Sequence, residues 1–182
     1  TSAQRAGAHV VLVAGRHLAQ AQGTAIGASG GVVDIAAAGT VTLERIDAGS
    51  TGSVAIKATS ILDGDAAGDT EVDIRARALV LQATGTMGAA ANALETELST
   101  LAASGGGHLF LAEVNGLAIR AVSVQGQRVG ANGTSAAGAA TAASGLATGT
   151  TAVRTLAGAM SVGADGPVSV GGNLLLSAGG AN

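Results

Sequence analysis

The chain has 182 residues and a formal net charge of −3; 47% of its residues are hydrophobic, yet one Phe is its only aromatic residue and Cys is absent. One Lys and eight Arg, scattered singly, make no basic stripe for nucleic acid, and without rings there is no platform for stacking bases. The longest strongly apolar run, VVLVA at 10–14, is far too short to span a bilayer as a helix, so no membrane insertion is expected.

Compact domains normally fill a thick core with several large rings. Here Ala, Val, Ile and Leu must do it, beside 30 Gly and a single Pro, which suits a thin core built in repeated layers. High Gly without a G-X-Y period excludes collagen, and the branched aliphatics argue against disorder.

In chain order, short alternating segments bounded by Gly recur: HVVLVA (9–14), GVVDIAA (31–37), TVTLERI (40–46), GSVAIKA (52–58), TEVDIRA (70–76) and ALVLQA (78–83). The next stretch, NALETELSTLAA from Asn92 to Ala103, reads two ways. As a helix, Asn92 would cap it with Glu95 completing a capping box, and Leu94, Leu98 and Leu101 would share a face. As extended structure, Asn92–Thr96 is a turn, 97–102 is a strand, and Glu95 and Glu97, two apart, both point to solvent. The surrounding period favours the extended reading. HLFLAEV (108–114) and LAIRAVSV (117–124) follow as strands after a glycine corner at Gly105 to Gly107. The stretch 125–151 is low-complexity Ala, Gly, Thr and Ser, expected as one long surface loop; a helix over 135–147 is the weaker alternative, broken by Gly138 and Gly145. AMSVGA (159–164), PVSVGG (167–172) and NLLLSA (173–178) close the series.

Aligning Val33/Ile35, Val54/Ile56, Val72/Ile74 and Leu109/Leu111 gives a repeat of about 19–20 residues, a signature of stacked architectures. The predicted fold is all-β: a right-handed parallel β-helix of nine or so coils with one Ala/Gly/Thr-rich excursion, a single unit over 1–182. Each coil cannot bury its apolar side alone, but coils stacked at about 4.8 Å bury a continuous core. A sandwich would also give short strands, though with more Pro and aromatic residues than this chain has.

The run MGAAANALETELSTLAASGGGHLFLAEVNGLAIRAVSV (87–124) resembles a recurring block of very large bacterial surface proteins of the filamentous haemagglutinin type. Met87-Gly88 and Asn92-Ala93-Leu94-Glu95-Thr96 match that block's "IG…NPLET" phrase, with Ala93 in place of Pro. Gly106-Gly107-His108-Leu109 and Gly116-Leu117-Ala118-Ile119 match its "GGI.L…G.L.I" phrase. The likeness covers most of 7–124 and, weakly, 153–178. It implies a secreted adhesin or biofilm fibre at the bacterial cell surface. The family's secretion domain and membrane anchor have no counterpart here, and neither a signal peptide nor an initiator Met opens the chain. A segment of a longer protein is therefore expected.

Chemistry is mostly absent. His9, His17 and His108 lie far apart and read as strand-edge or corner residues, and no Ser-His-Asp or Cys-His spacing occurs, so neither catalytic residues nor an organic cofactor are expected. A polysaccharide-active β-helix enzyme is the competing reading and would need carboxylates clustered on one face. The acidic stretch LDGDAAGDTEVD (62–73) offers a Ca²⁺ candidate, Asp63, Asp65 and Asp69 around Gly64 and Gly68. It matches no EF-hand or glycine-rich nonapeptide, and Asp and Gly also favour turns, which is the leading reading. The expected function is a stiff shaft. The alternative is a glycan- or surface-binding module using loop 125–151. Expected partners are further repeats of the same protein or end-to-end self-association.

Overall fold

The computed structural model describes residues 7–179, which hold twenty-one strands and no helix. Alternating aliphatics and glycine corners fold as a parallel β-solenoid whose strands fall into three faces. On the first face His9–Ala14 lies under Val32–Ala37, followed by 53–58, 78–83, Thr100–Ser104, Leu146–Thr148 and Val168–Val170, all parallel. These seven rungs, at about 4.8 Å each, give a stack about 30 Å tall. Leu18–Ala19, Val41–Leu43 and Ile61–Asp63 begin the second face, which continues through a bridge at Met87 to Leu109, Thr151–Thr155 and Leu174–Ala178. The third face stacks Ile26, Ile46, Ile74, Thr96 and Glu113.

Like side chains stack inside. Val33, Val54, Leu79 and Leu101 form one file, and Ile35, Ile56, Leu81 and Ala103 the next; each of these residues is fully buried. No ring interrupts these files, which is why the composition needs none.

The coils are longer than the 19–20 residues expected: Val33 lies over Val54, Leu79 and Leu101, spacings of 21 to 25, so the chain makes seven rungs where nine were predicted. The shorter figure came from placing Val72/Ile74 in the Val33/Ile35 file. Ile74 in fact stacks on Ile46, on the third face, and the Val54/Ile56 file continues into Leu79/Leu81. A turn that adds a few residues leaves the alternation intact and moves the face, so alternation alone misassigned it.

The Asn92–Ala103 ambiguity resolves to strands, Leu94–Glu97 and Thr100–Ser104. The turn lies earlier than expected, with Ala89 and Asn92 bridging each other, so Leu94 to Thr96 are already in the ladder against Leu111 to Glu113. Gly105, at φ 146, turns the corner after Thr100–Ser104; a Cβ there would overlap the Ala83 carbonyl of the preceding coil.

The low-complexity stretch differs most from expectation. It is an antiparallel arm, not a 27-residue loop: Ala121–Val124 pairs with Thr141–Ser144, and Gln127–Val129 with Ser135–Ala137. Leu146–Thr148 and Thr151–Thr155 already belong to the solenoid. The arm leaves from the middle of a rung, since the Gly145 N–H donates to the Arg120 carbonyl (3.1 Å), while Leu117–Ile119 and Leu146–Thr148 both stack on Thr100–Ser104. It folds back over the outside of the first face. There Val122, Val124 and Ala143 close over Ala55, Ala78, Val80 and Ala102 as a second, smaller apolar cluster. The Gln82 side-chain amide donates to the Ala142 carbonyl (2.8 Å) and ties the arm down.

Candidate functional site: an acidic corner spanning adjacent coils

Beyond Ile61–Asp63 the chain turns outward over 64–73 before re-entering the third face at Ile74. Two Asx-type bonds shape this turn: Asp63 Oδ1 accepts the Asp65 N–H (2.8 Å) and Asp69 Oδ1 accepts the Glu71 N–H (3.2 Å). The register Ile74 over Thr96 sets Asp73 above Glu95 in the next coil. The Asp73 N–H donates to the Glu95 carbonyl (3.0 Å), and the Glu95 N–H donates to Asp73 Oδ2 (2.8 Å).

These contacts draw five carboxylates into one corner. Oxygens of Asp63, Asp73 and Glu95 lie within 4.8 Å of one another, and so do those of Asp63, Asp65 and Asp69, with Asp63 common to both groups. Asp73 is 1% exposed. The second oxygens of Asp63, Asp69 and Asp73 are buried without a hydrogen-bond partner: Oδ2 of the first two and Oδ1 of Asp73. None of the three ion pairs among the described residues (Arg45–Asp47, Arg75–Glu97, Arg120–Asp165) touches the five.

The electrostatic consequence is a set of acids that resist ionising. Burial, reinforced by the neighbouring charges of Asp63 and Glu95, pushes Asp73 up to about 9. Burial followed by the charges of Asp63 and Asp69 pushes Glu95 up to about 7, against the opposing pull of Arg154. Burial and then Glu44 push Asp65 up to about 6, and burial raises Asp63 as well.

The sequence-predicted trio of Asp63, Asp65 and Asp69 does come together, but it is three of the five carboxylates in the cluster. Asp73 and Glu95 were missed. Asp73 stood in the same acidic stretch and read as part of a strand. Glu95 read as a solvent-facing strand residue beside Glu97; only Glu97 behaves so, reaching Arg75 at 3.2 Å. The usable signal was that Asp73 and Glu95 are separated by one coil length.

The three His are placed as expected, exposed and at strand starts or corners. His17 Nδ1 accepts the Thr40 N–H (3.0 Å) and His108 Nδ1 the Thr150 N–H (3.2 Å), so both latch one corner to the following coil. An open groove lined by Gly23, Glu44, Arg45, Arg75 and Glu97 runs beside the corner. No protein-family model, curated protein or solved structure matches the chain.

The carboxylates do cluster, which is the feature a sugar-cleaving enzyme would need, but their arrangement is unlike that chemistry. Hydrolytic pairs flank a bond from about 5 to 9.5 Å apart, across an open cleft. The oxygens of these five converge around Asp63, and Asp73 is closed off from solvent.

Proposed function

We propose that the chain is a structural segment, a stiff shaft, of a secreted bacterial adhesin or extracellular fibre. The observation that carries this reading is the uninterrupted parallel ladder over seven rungs around files of buried aliphatic side chains. Such a body resists bending because each inner rung is bonded to a neighbour on both sides, and resists proteolysis because the bonded backbone cannot enter a protease cleft.

The terminal rungs support continuation. Among the described residues His9–Ala14 pairs on one side only, as does Leu174–Ala178, and Leu174 and Leu175 are exposed there. Unpaired parallel edges of this kind are templates for further strands, whether repeats of the same protein or a second copy end to end. The resemblance of 87–124 to haemagglutinin-type blocks agrees with that role and with a cell-surface location. Electron microscopy of the intact protein from its native source is expected to show elongated rods or filaments; compact particles alone would refute the shaft.

A second reading is favoured by the arm, which is an ordered projection and not a slack loop. Its outer strands are exposed along their whole length, including Val129. As an adhesin module it would hold this surface against a glycan or matrix. Because Arg120 and Gly145 are already hydrogen-bonded, 121–144 can be removed and the chain rejoined by a short turn. A glycan array probed with both forms is expected to show binding only with the arm present; equal profiles would leave the shaft alone.

A further inference from the structure

The acidic corner has a use that a shaft does not require. We propose that it binds a calcium ion, ligated by Asp63, Asp73 and Glu95, with Asp65 and Asp69 of the turn gathered around the same Asp63 beside it.

Four observations carry this assignment. Calcium sits about 2.4 Å from its oxygens, so ligand atoms around one ion lie at most about 4.8 Å apart. The oxygens of Asp63, Asp73 and Glu95 meet that limit, and so do those of the Asp63, Asp65 and Asp69 set. Asp73, buried to 99%, spends one oxygen on the Glu95 N–H and leaves the other, with no hydrogen-bond partner, among its neighbours' carboxylates. An unpartnered buried carboxylate oxygen is costly, and two more, on Asp63 and Asp69, stand unpartnered beside it.

The third observation is charge. Glu44 adds a sixth acid next to Asp65, while Arg154 acts on Glu95 without forming an ion pair. A divalent ion supplies the missing positive charge at the point where it is needed. The fourth is donor type. The set is all oxygen, without His or Cys, which selects a hard cation. Several carboxylates partly carried on an irregular turn suit the larger, geometrically tolerant Ca²⁺ better than Mg²⁺, which holds on to its water and demands an octahedron.

Placed there, the ion ties the 64–73 turn to its own coil through Asp63 and to the next coil through Glu95. It would act as a clamp across the ladder, stiffening the solenoid where its chain strays furthest from the core between two faces.

The chain has no Trp or Tyr, so its unfolding is best followed by circular dichroism in metal-free buffer, with Ca²⁺, with Mg²⁺ and with a chelator, at constant ionic strength. Calcium at about a hundredfold excess over its Kd is expected to raise the melting midpoint by roughly 5–10 °C. Asp73→Asn and Glu95→Gln should each lose most of that gain. In chelator, Asp73→Asn should melt at or above the unsubstituted chain, because it keeps an oxygen for the Glu95 N–H and removes a carboxyl that ionises more readily in the unfolded chain than in this buried corner. Absence of a calcium shift overturns the proposal. So does a midpoint lowered equally by Asp73→Asn in calcium and in chelator, which would make the residue purely structural. An equal gain from Mg²⁺ overturns the calcium assignment. The shaft reading survives each of these failures, since it rests on the rungs and not on the corner.

Discussion

Glu113→Ala is expected to destabilise the chain by about 3–5 kcal/mol, the cost of breaking a buried charged network and stranding its partners. Glu113 is fully buried on the third face, where the aliphatic file Ile26, Ile46, Ile74 gives way to Thr96 and then Glu113. Its carboxylate accepts the Thr96 hydroxyl (2.7 Å), the Leu98 N–H (3.0 Å) and the Asn115 N–H (3.0 Å). Those two backbone donors lie where the ladder is irregular, so the side chain replaces strand partners they lack. Alanine would leave the buried Leu98 N–H without an acceptor, strip the Asn115 N–H of its partner and leave the Thr96 hydroxyl only the Ala112 carbonyl at 3.5 Å. Glutamine should recover only part of the loss, because its amide NH₂ must face a donor. Chemical denaturation of the two variants against the unsubstituted chain measures this; a loss below about 1 kcal/mol for Glu113→Ala would mean that water reaches those donors.

The metal-free protein is expected to lose stability as pH rises from about 4 to about 9. Asp73 titrates at about 9 in the folded chain against 3.8 for a free carboxyl, and Glu95 at about 7 against 4.5. In that window the folded state holds protons that the unfolded state has released, so the slope of stability with pH is negative. The stabilising contribution is complete below about pH 4 and is lost progressively as pH climbs through the folded values. Burial of Asp73 is the first cause, and the charges of Asp63, Asp69 and Glu44 work in the same direction across the corner, with Arg154 opposing at Glu95. The total is on the order of several kcal/mol, most of it from Asp73, because Glu95 is only half-buried and its contribution is screened. Melting curves in chelator from pH 4 to 9 should show the fall, and Asp73→Asn should flatten it. A midpoint that is level or rising over pH 5–9 would show that the corner relaxes open and spares its charges the repulsion.

The first result concerns polar groups that replaced aliphatic ones inside an otherwise apolar stack, the second a carboxyl buried outside the aliphatic files under the 64–73 turn. The rungs that hold Ile46 and Ile74 need no specific partner chemistry, since any branched aliphatic on its own kind fills the layer. Thr96, Glu113 and Asp73 break that tolerance, and each then depends on a named donor or acceptor one coil away.

How much of this was legible in the sequence follows from what is local. Alternation of aliphatic and polar residues, glycine at the corners and the lack of rings are properties of short windows, and they fix a thin-cored, parallel, layered β fold. They favoured Asn92–Ala103 as extended over a plausible helical pattern, and the ladders on both sides, which outweigh a cap and three leucines, decided it. Asp63, Asp65 and Asp69 were visible as a group because one turn carries them all.

The tertiary structure decided everything that depends on coil length. Coils of 21 to 25 residues share no strict period, so only the folded register shows that Ile74 belongs over Ile46 and that Asp73 meets Glu95. The low-complexity stretch became an arm for a similar reason. Its strands pair with each other at 121–124 and 141–144, and they gain their burial from Val80 and Ala102, far away along the chain. Composition by itself determined the kind of stack this protein builds. Which side chains face one another across it was left to turn lengths, because each added residue shifts the whole following strand and a linear pattern does not record where it lands.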